Sequence, residues 1–206
     1  KTLTAFSIIS YLNGLLALNM INPLTKMPPL PDMGFNMLPQ IPAHYPNLLL
    51  VMFCIYFGTR FIRSSNLKQI KCLLWNITFL FGIRLFTFTT TIVPPSTIDC
   101  IDRNPSDPIE WNVLRYLIFS DDNTCIDYMF SGHACYFVLL YLYAILLTNN
   151  LLEQFFLTLF LPFGLLSIIA GHIHYTIDVI VGIVLSMGCF LFTECLKIIF
   201  ATNRYH

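Results

Sequence analysis

Six apolar stretches divide the chain, at about residues 2–21, 47–63, 72–93, 128–148, 151–170 and 175–200. A bilayer core about 30 Å thick takes roughly 20 apolar residues of helix. In lipid each stretch must be a helix rather than a strand, because every backbone polar group needs a partner within its own segment. The second stretch is short, and Arg60 and Arg63 end it with stems that reach towards a headgroup layer. The intervals differ in character. Residues 22–46 are rich in proline (Pro23, Pro28, Pro29, Pro31, Pro39, Pro42, Pro46) and are predicted to be extended or turn-like. Residues 64–71 form a short basic turn, 94–127 a long polar loop, and 149–152 and 171–174 tight turns. The pattern predicts an all-α, polytopic integral membrane protein of six transmembrane helices, one domain over 1–206 with no internal repeat.

Composition sharpens this reading. Only 11% of residues are charged against 56% hydrophobic, where a soluble domain carries about a quarter charged. A formal net charge of zero and the lack of a basic stripe argue against a nucleic-acid partner. The cysteines Cys54, Cys72, Cys100, Cys125, Cys135, Cys189 and Cys195 show no CxxC pair or Cys/His ligand spacing, so no structural metal is expected. Most lie in apolar runs as packing residues. Cys100 and Cys125 instead bracket the polar loop, where an oxidising lumen would let them pair.

Loop charge sets the expected orientation. Arg60, Arg63, Lys68 and Lys71 cluster in the turn after the second helix, and Lys197 and Arg204 end the last one. The long loop holds Arg103 and Arg115 against Asp99, Asp102, Asp107, Glu110, Asp121, Asp122 and Asp127. Both termini and the basic turn are therefore expected in the cytosol. The proline-rich loop, the acidic loop and the turn before the last helix then face the lumen or exterior. The chain starts on Lys1 and enters an apolar run with Ser7, Ser10 and Asn13 but no small-residue cleavage site. That run reads as a helix rather than a signal peptide, with a cytosolic N-terminal extension expected before it.

Ionisable groups in or beside apolar helices are costly and point to function by default. Here they are Arg84, Asp127, His133, His172, His174 and Asp178. Asp178 follows His174 by four residues, on one helix face. A carboxylate there fixes the imidazole tautomer and raises the basicity of its other nitrogen, an arrangement suited to covalent catalysis. His133 follows Ser131-Gly132 at the start of the fourth helix, on the same predicted membrane face as His174. Arg84 lies roughly 15 Å along its helix from Pro94, and a phosphate would serve as its anionic partner. Singly, each is more often a structural or interfacial residue. Together they point to an enzyme or transporter for a phosphate-bearing substrate.

Four segments in order resemble the signature of the sphingomyelin synthase family, ceramide phosphotransferases of the lipid phosphate phosphatase superfamily. They are Pro28-Pro29-Leu30-Pro31-Asp32, then Arg84 through Thr91 to Pro94, then Cys125-Ile-Asp127-Tyr-Met-Phe-Ser131-Gly132-His133, and His174-Tyr175-Thr176-Ile177-Asp178. The resemblance spans nearly the whole chain. It implies a six-helix, lipid phosphate phosphatase-like core that transfers phosphocholine from phosphatidylcholine to ceramide, giving sphingomyelin and diacylglycerol. It further implies His174 as nucleophile, Asp178 as its orienter, and His133 as acid and then base. Arg84, Asp127, Ser131 and Tyr175 are the implied substrate-binding residues. No cofactor or metal is implied, and the setting is the Golgi or plasma membrane with the site facing outward; a homo-oligomer stays open.

Ala134 stands where the family places threonine after its SGH element. Ile173 stands between His172 and His174, where the phosphocholine-transferring members carry an acidic residue. Choline recognition would then fall to aromatic rings through cation–π contact, with Tyr128, Tyr175 and Trp111 as candidates. Ile173 keeps phosphoethanolamine or phosphoinositol transfer to ceramide open as alternatives. Hydrolysis of the phospholipase C or lipid phosphatase kind is a third reading, although the arginine-rich first element of the phosphatases is not evident. A non-catalytic lipid-binding or scramblase-like protein is a fourth, disfavoured by the joint presence of His133, His174 and Asp178.

Overall fold

A computed structural model of the chain describes residues 2–19, 24, 27–64, 66–97 and 129–202. Its helices are α1 (Thr2–Asn19), α2 (Met33–Met37), α3 (His44–Ser64), α4 (Leu67–Thr90), α5 (Gly132–Leu147), α6 (Leu151–Ala170) and α7 (Thr176–Thr202). There is no strand among the described residues. Among the described residues four spans are long and apolar enough to cross a bilayer: His44–Ser64, Leu67–Thr87, Leu151–Ala170 and Thr176–Ile199. Thr2–Leu16 and Gly132–Leu147 are shorter apolar helices in the remaining two expected places. The surface is apolar where a soluble protein would be polar: Phe79, Phe86, Phe156, Phe163 and Phe192 are each about 60% exposed or more. Such a collar is stable only against lipid tails.

Several boundaries differ from the sequence expectation, and capping accounts for them. The basic turn is shorter than 64–71 because the Asn66 side chain accepts the Gln69 N–H at 3.3 Å and starts α4 at Leu67. The fourth apolar helix begins at Gly132, not 128, because Ser131 is its N-cap and accepts the Ala134 N–H at 3.1 Å. The proline-rich loop, expected without helix, contains α2, nucleated by Asp32 Oδ1 accepting from Gly34 N–H (2.8 Å) and Phe35 N–H (3.3 Å). Helix α3 starts at His44 and takes Pro46 in its first turn, where a missing N–H costs nothing.

Helix α5 is the axis of the bundle, packed against α3, α4, α6 and α7. At about 24 Å it is too short to be a comfortable lone span, and its neighbours bury it. Phe137, Leu139 and Tyr143 are fully enclosed. Helices α5 and α7 approach closely because residue 182 is glycine. A Cβ there would stand 3.0 Å from the Ser131 carbonyl oxygen and 3.1 Å from Ala134 Cβ. Helix α1 lies outside, against α4, where the buried Asn13 amide donates to the Phe81 carbonyl at 3.0 Å. Cys54, Cys72, Cys135, Cys189 and Cys195 are free thiols. Cys100 and Cys125, with the pairing expected of them, lie outside the described residues.

Candidate active site

The ends of α5 and α7 are tied by one backbone bond, from Ser131 N–H to the Asp178 carbonyl at 3.0 Å. This brings residues 41 positions apart in sequence into one site. The imidazoles of His133 and His174 lie 6.1 Å apart between ring centroids, at 60° to each other. His174 Nδ1 stands 4.0 Å from Asp178 Oδ2, and both side chains are almost fully buried. The same Oδ2 accepts the Tyr175 N–H at 3.2 Å, so the chain's own turn into α7 holds the carboxylate. His174 lies in the turn between α6 and α7. Burial, followed by the nearby charges of Arg84 and His133, pushes its pKa well below the ordinary histidine value, leaving a neutral imidazole.

Arg84 joins this cluster although it sits inside α4. Its guanidinium lies against the backbone of Gly132, where an added Cβ would meet Nη1 at 2.8 Å and Cζ at 3.1 Å. The arginine is buried, with its charge 5.5 Å from the Phe81 ring centroid. Depth in the sequence is thus no obstacle to reaching the histidines. Ser131 is fully buried and spends its hydroxyl capping α5. Asp127, Tyr128 and Trp111 lie outside the described residues, as does nearly all of the 94–127 loop.

Tyr175 is a joint between three segments. Its hydroxyl accepts the Leu30 N–H at 3.0 Å and points at the carbonyls of Pro94 and Pro95, each at 3.0 Å. Its buried ring stacks on Phe35 at 5.7 Å. Ser96 adds a bond to the His172 carbonyl at 2.6 Å. His172 takes the left-handed conformation (φ 51°) and stacks on Phe35 at 4.1 Å. Ile173 is buried in the apolar core.

Two residues that sequence reasoning left out of the site belong to it. Asn47, near the start of α3, sets its Oδ1 2.7 Å from His133 Nε2. The signal was a polar amide in the first turn of an apolar run. Asp32 reaches across to the N-terminus of α7, accepting the Thr176 N–H at 2.8 Å and the Thr176 hydroxyl at 2.5 Å. Burial opposes its charge, but the bonds from Thr176, Phe35 and Gly34 outweigh it and hold the carboxyl below its ordinary pKa. The four sequence segments are one hydrogen-bonded assembly, with the first and second strapped onto the fourth.

The bundle is all-helical among the described residues, with two histidines paired at one end, and residues 124–195 match the family "PAP2 superfamily C-terminal". Over 199 residues the chain is 30% identical to sphingomyelin synthase-related protein 1 of Mus musculus, covering 87% of this chain and 40% of that protein. It is 29% identical over 187 residues to the Homo sapiens protein of the same name, covering 82% of this chain and 44% of that one. It is 26% identical over 209 residues to phosphatidylcholine:ceramide cholinephosphotransferase 1 of Caenorhabditis elegans, covering 88% and 44%. The chain thus carries a PAP2 superfamily C-terminal match and is similar over most of its own length to sphingomyelin synthase-related proteins. It spans less than half the length of these curated relatives.

Proposed function

We propose that the chain is a lipid phosphotransferase that moves phosphocholine from phosphatidylcholine to the primary hydroxyl of ceramide, releasing diacylglycerol. The observation that carries this reading is the His133–His174 pair, 6.1 Å apart, with Asp178 behind His174. A gap of that size accommodates a tetrahedral phosphorus between two imidazoles.

In the first half-reaction Asp178 favours the Nδ1–H tautomer of His174, and Nε2 attacks the phosphorus. An N–P bond forms while the P–O bond to diacylglycerol breaks, and His133, entering this step as the imidazolium, protonates the departing oxygen and is left neutral. In the second half His133 takes the proton of the ceramide hydroxyl, whose oxygen attacks the phosphorus and breaks the N–P bond. One group acting as acid and then base matches a two-step displacement. Asn47 Oδ1 holds one nitrogen of His133 as N–H, so the proton is exchanged at the other. Arg84 offsets the charge that builds on the phosphoryl oxygens. Asp127 and the lumenal or exterior orientation of the site remain part of this proposal.

A second reading changes only the head group. Ile173 is buried in the core, so no acidic side chain at that position is available to a cationic choline, which keeps phosphoethanolamine or phosphoinositol transfer to ceramide as the alternatives. The test is to supply the purified chain with fluorescent ceramide and, separately, phosphatidylcholine, phosphatidylethanolamine or phosphatidylinositol. Sphingomyelin formation supports the first reading, and product from another donor alone replaces it. Diacylglycerol release independent of ceramide would mark a hydrolase.

A further inference from the structure

Tyr136 is used by nothing described above. It lies on α5 three residues after His133, about 4.5 Å further along the axis, and so one turn deeper towards the bilayer centre. Its ring meets Phe81 of α4 edge-on, with centroids 5.5 Å apart. Arg84 on α4 and Cys54 on α3 both lie in its neighbourhood, which places it by the interval between these two helices. Helices α3 and α4 hardly touch, whereas α5 packs against both and forms the floor between them. The side chain is only partly buried, and its hydroxyl makes no hydrogen bond among the described residues. A phenol in so apolar a setting is costly to leave without a partner.

Resting on the phosphotransferase reading, we propose that Tyr136 is a substrate-positioning residue whose hydroxyl donates to a carbonyl oxygen of a lipid lying in the cleft between α3 and α4. The depth fits the chemistry. With the phosphorus held between His133 and His174, the next polar layer of a lipid is its carbonyl, and below that only hydrocarbon remains. Phe81 fixes the ring, and Asn47 and Arg84 flank the cleft at the level of the phosphate. Two substrates carry such a carbonyl: the donor in its glycerol esters and ceramide in its amide.

Tyr136→Phe removes the hydroxyl and keeps the ring on Phe81. Transfer is measured for wild type and variant with diacyl or dialkyl-ether phosphatidylcholine as donor, and with ceramide or its analogue with a reduced amide as acceptor. In one arm wild type should prefer the carbonyl-bearing lipid, about three- to tenfold in kcat/KM. The variant should lose that preference and match wild type on the carbonyl-free lipid. The arm in which this occurs names the substrate. If the variant keeps the wild-type preference in both arms, or if wild type shows none in either, the proposal is wrong while the phosphotransferase reading stands. If wild type transfers no head group from any donor, that reading fails separately. The hydrogen bond is then judged by the rise in unfolding temperature of the micellar protein on adding ester or ether lipid. A larger rise with ester that disappears in Tyr136→Phe supports it, and equal rises overturn it.

Discussion

At the residue scale the proposed chemistry turns on which nitrogen of His174 carries the proton. Asp178 sits on the Nδ1 side at 4.0 Å, and a neutral amide there would favour neither tautomer. Asp178→Asn should therefore lower kcat by about 10²- to 10⁴-fold with little change in KM, and single-turnover labelling should show slow formation of the phosphohistidine. His174→Ala should abolish both label and transfer in a protein that still folds; retained turnover would remove the covalent route. The pH dependence follows from the same burial. In the proposed mechanism His174 attacks as the neutral base, and burial holds its pKa well below the ordinary histidine value. The acid limb of the donor half-reaction should accordingly fall below pH 6.5, with the nucleophile fully active at neutrality and lost only as acid protonates it. A limb at or above 6.5 in kcat/KM against pH would contradict this. Gly132→Ala is a separate probe: its Cβ would stand 2.8 Å from Arg84 Nη1. The end of a flexible side chain can move aside, so the unfolding temperature should hold while transfer drops about tenfold, as expected for a displaced charge.

At the element scale the N-terminus of α7 is held by a carboxylate from a distant loop. Asp32 caps α2 through its own backbone neighbours and α7 through Thr176. Asp32→Ala should cost about 1–2 kcal/mol of stability, the range of a lost N-cap, and should also lower kcat, because His174 and Asp178 flank the released turn. Thermal unfolding in detergent and turnover should move together. Much of this was open to sequence reading and some was not. The six apolar runs mark the helices because lipid demands backbone pairing within each segment, and the i,i+4 spacing marks the His174–Asp178 pair. Asp32 was visible as part of a motif, but its partner 144 residues away was not, since no periodicity links a loop to a remote helix start. Helix α2 was hidden by its prolines. Asn47 was hidden inside an apolar run, where a single amide has no pattern of its own. Arg84 was identified, yet its place beside the histidines depends on the room that Gly132 leaves for its guanidinium.

At the scale of the whole molecule the bundle is fastened at both ends by different means. The histidine end is strapped by loops. The opposite end is clamped by polar side chains between helices: Glu153 pairs with Arg60 at 2.8 Å and also takes the hydroxyls of Tyr56 and Thr148. Nearby, Asn76 donates to the Tyr143 hydroxyl at 3.0 Å and accepts from Thr193 at 2.6 Å, joining α4, α5 and α7. Arg60 lies thirteen positions along α3 from Asn47, about 20 Å of helix, so the clamp lies far from the histidine pair. Stability and catalysis should then be separable. Glu153→Ala leaves Arg60 and two hydroxyls without their shared acceptor, and should cost about 1–3 kcal/mol. The ion pair itself contributes little of that, because both side chains keep some exposure. Unfolding temperature in detergent should fall, while kcat and KM measured well below it stay at wild-type values. A matching loss of kcat in that range would mean that the two ends move as one, and that the spacing of His133 and His174 is set from across the bilayer rather than by the bond between Ser131 and Asp178.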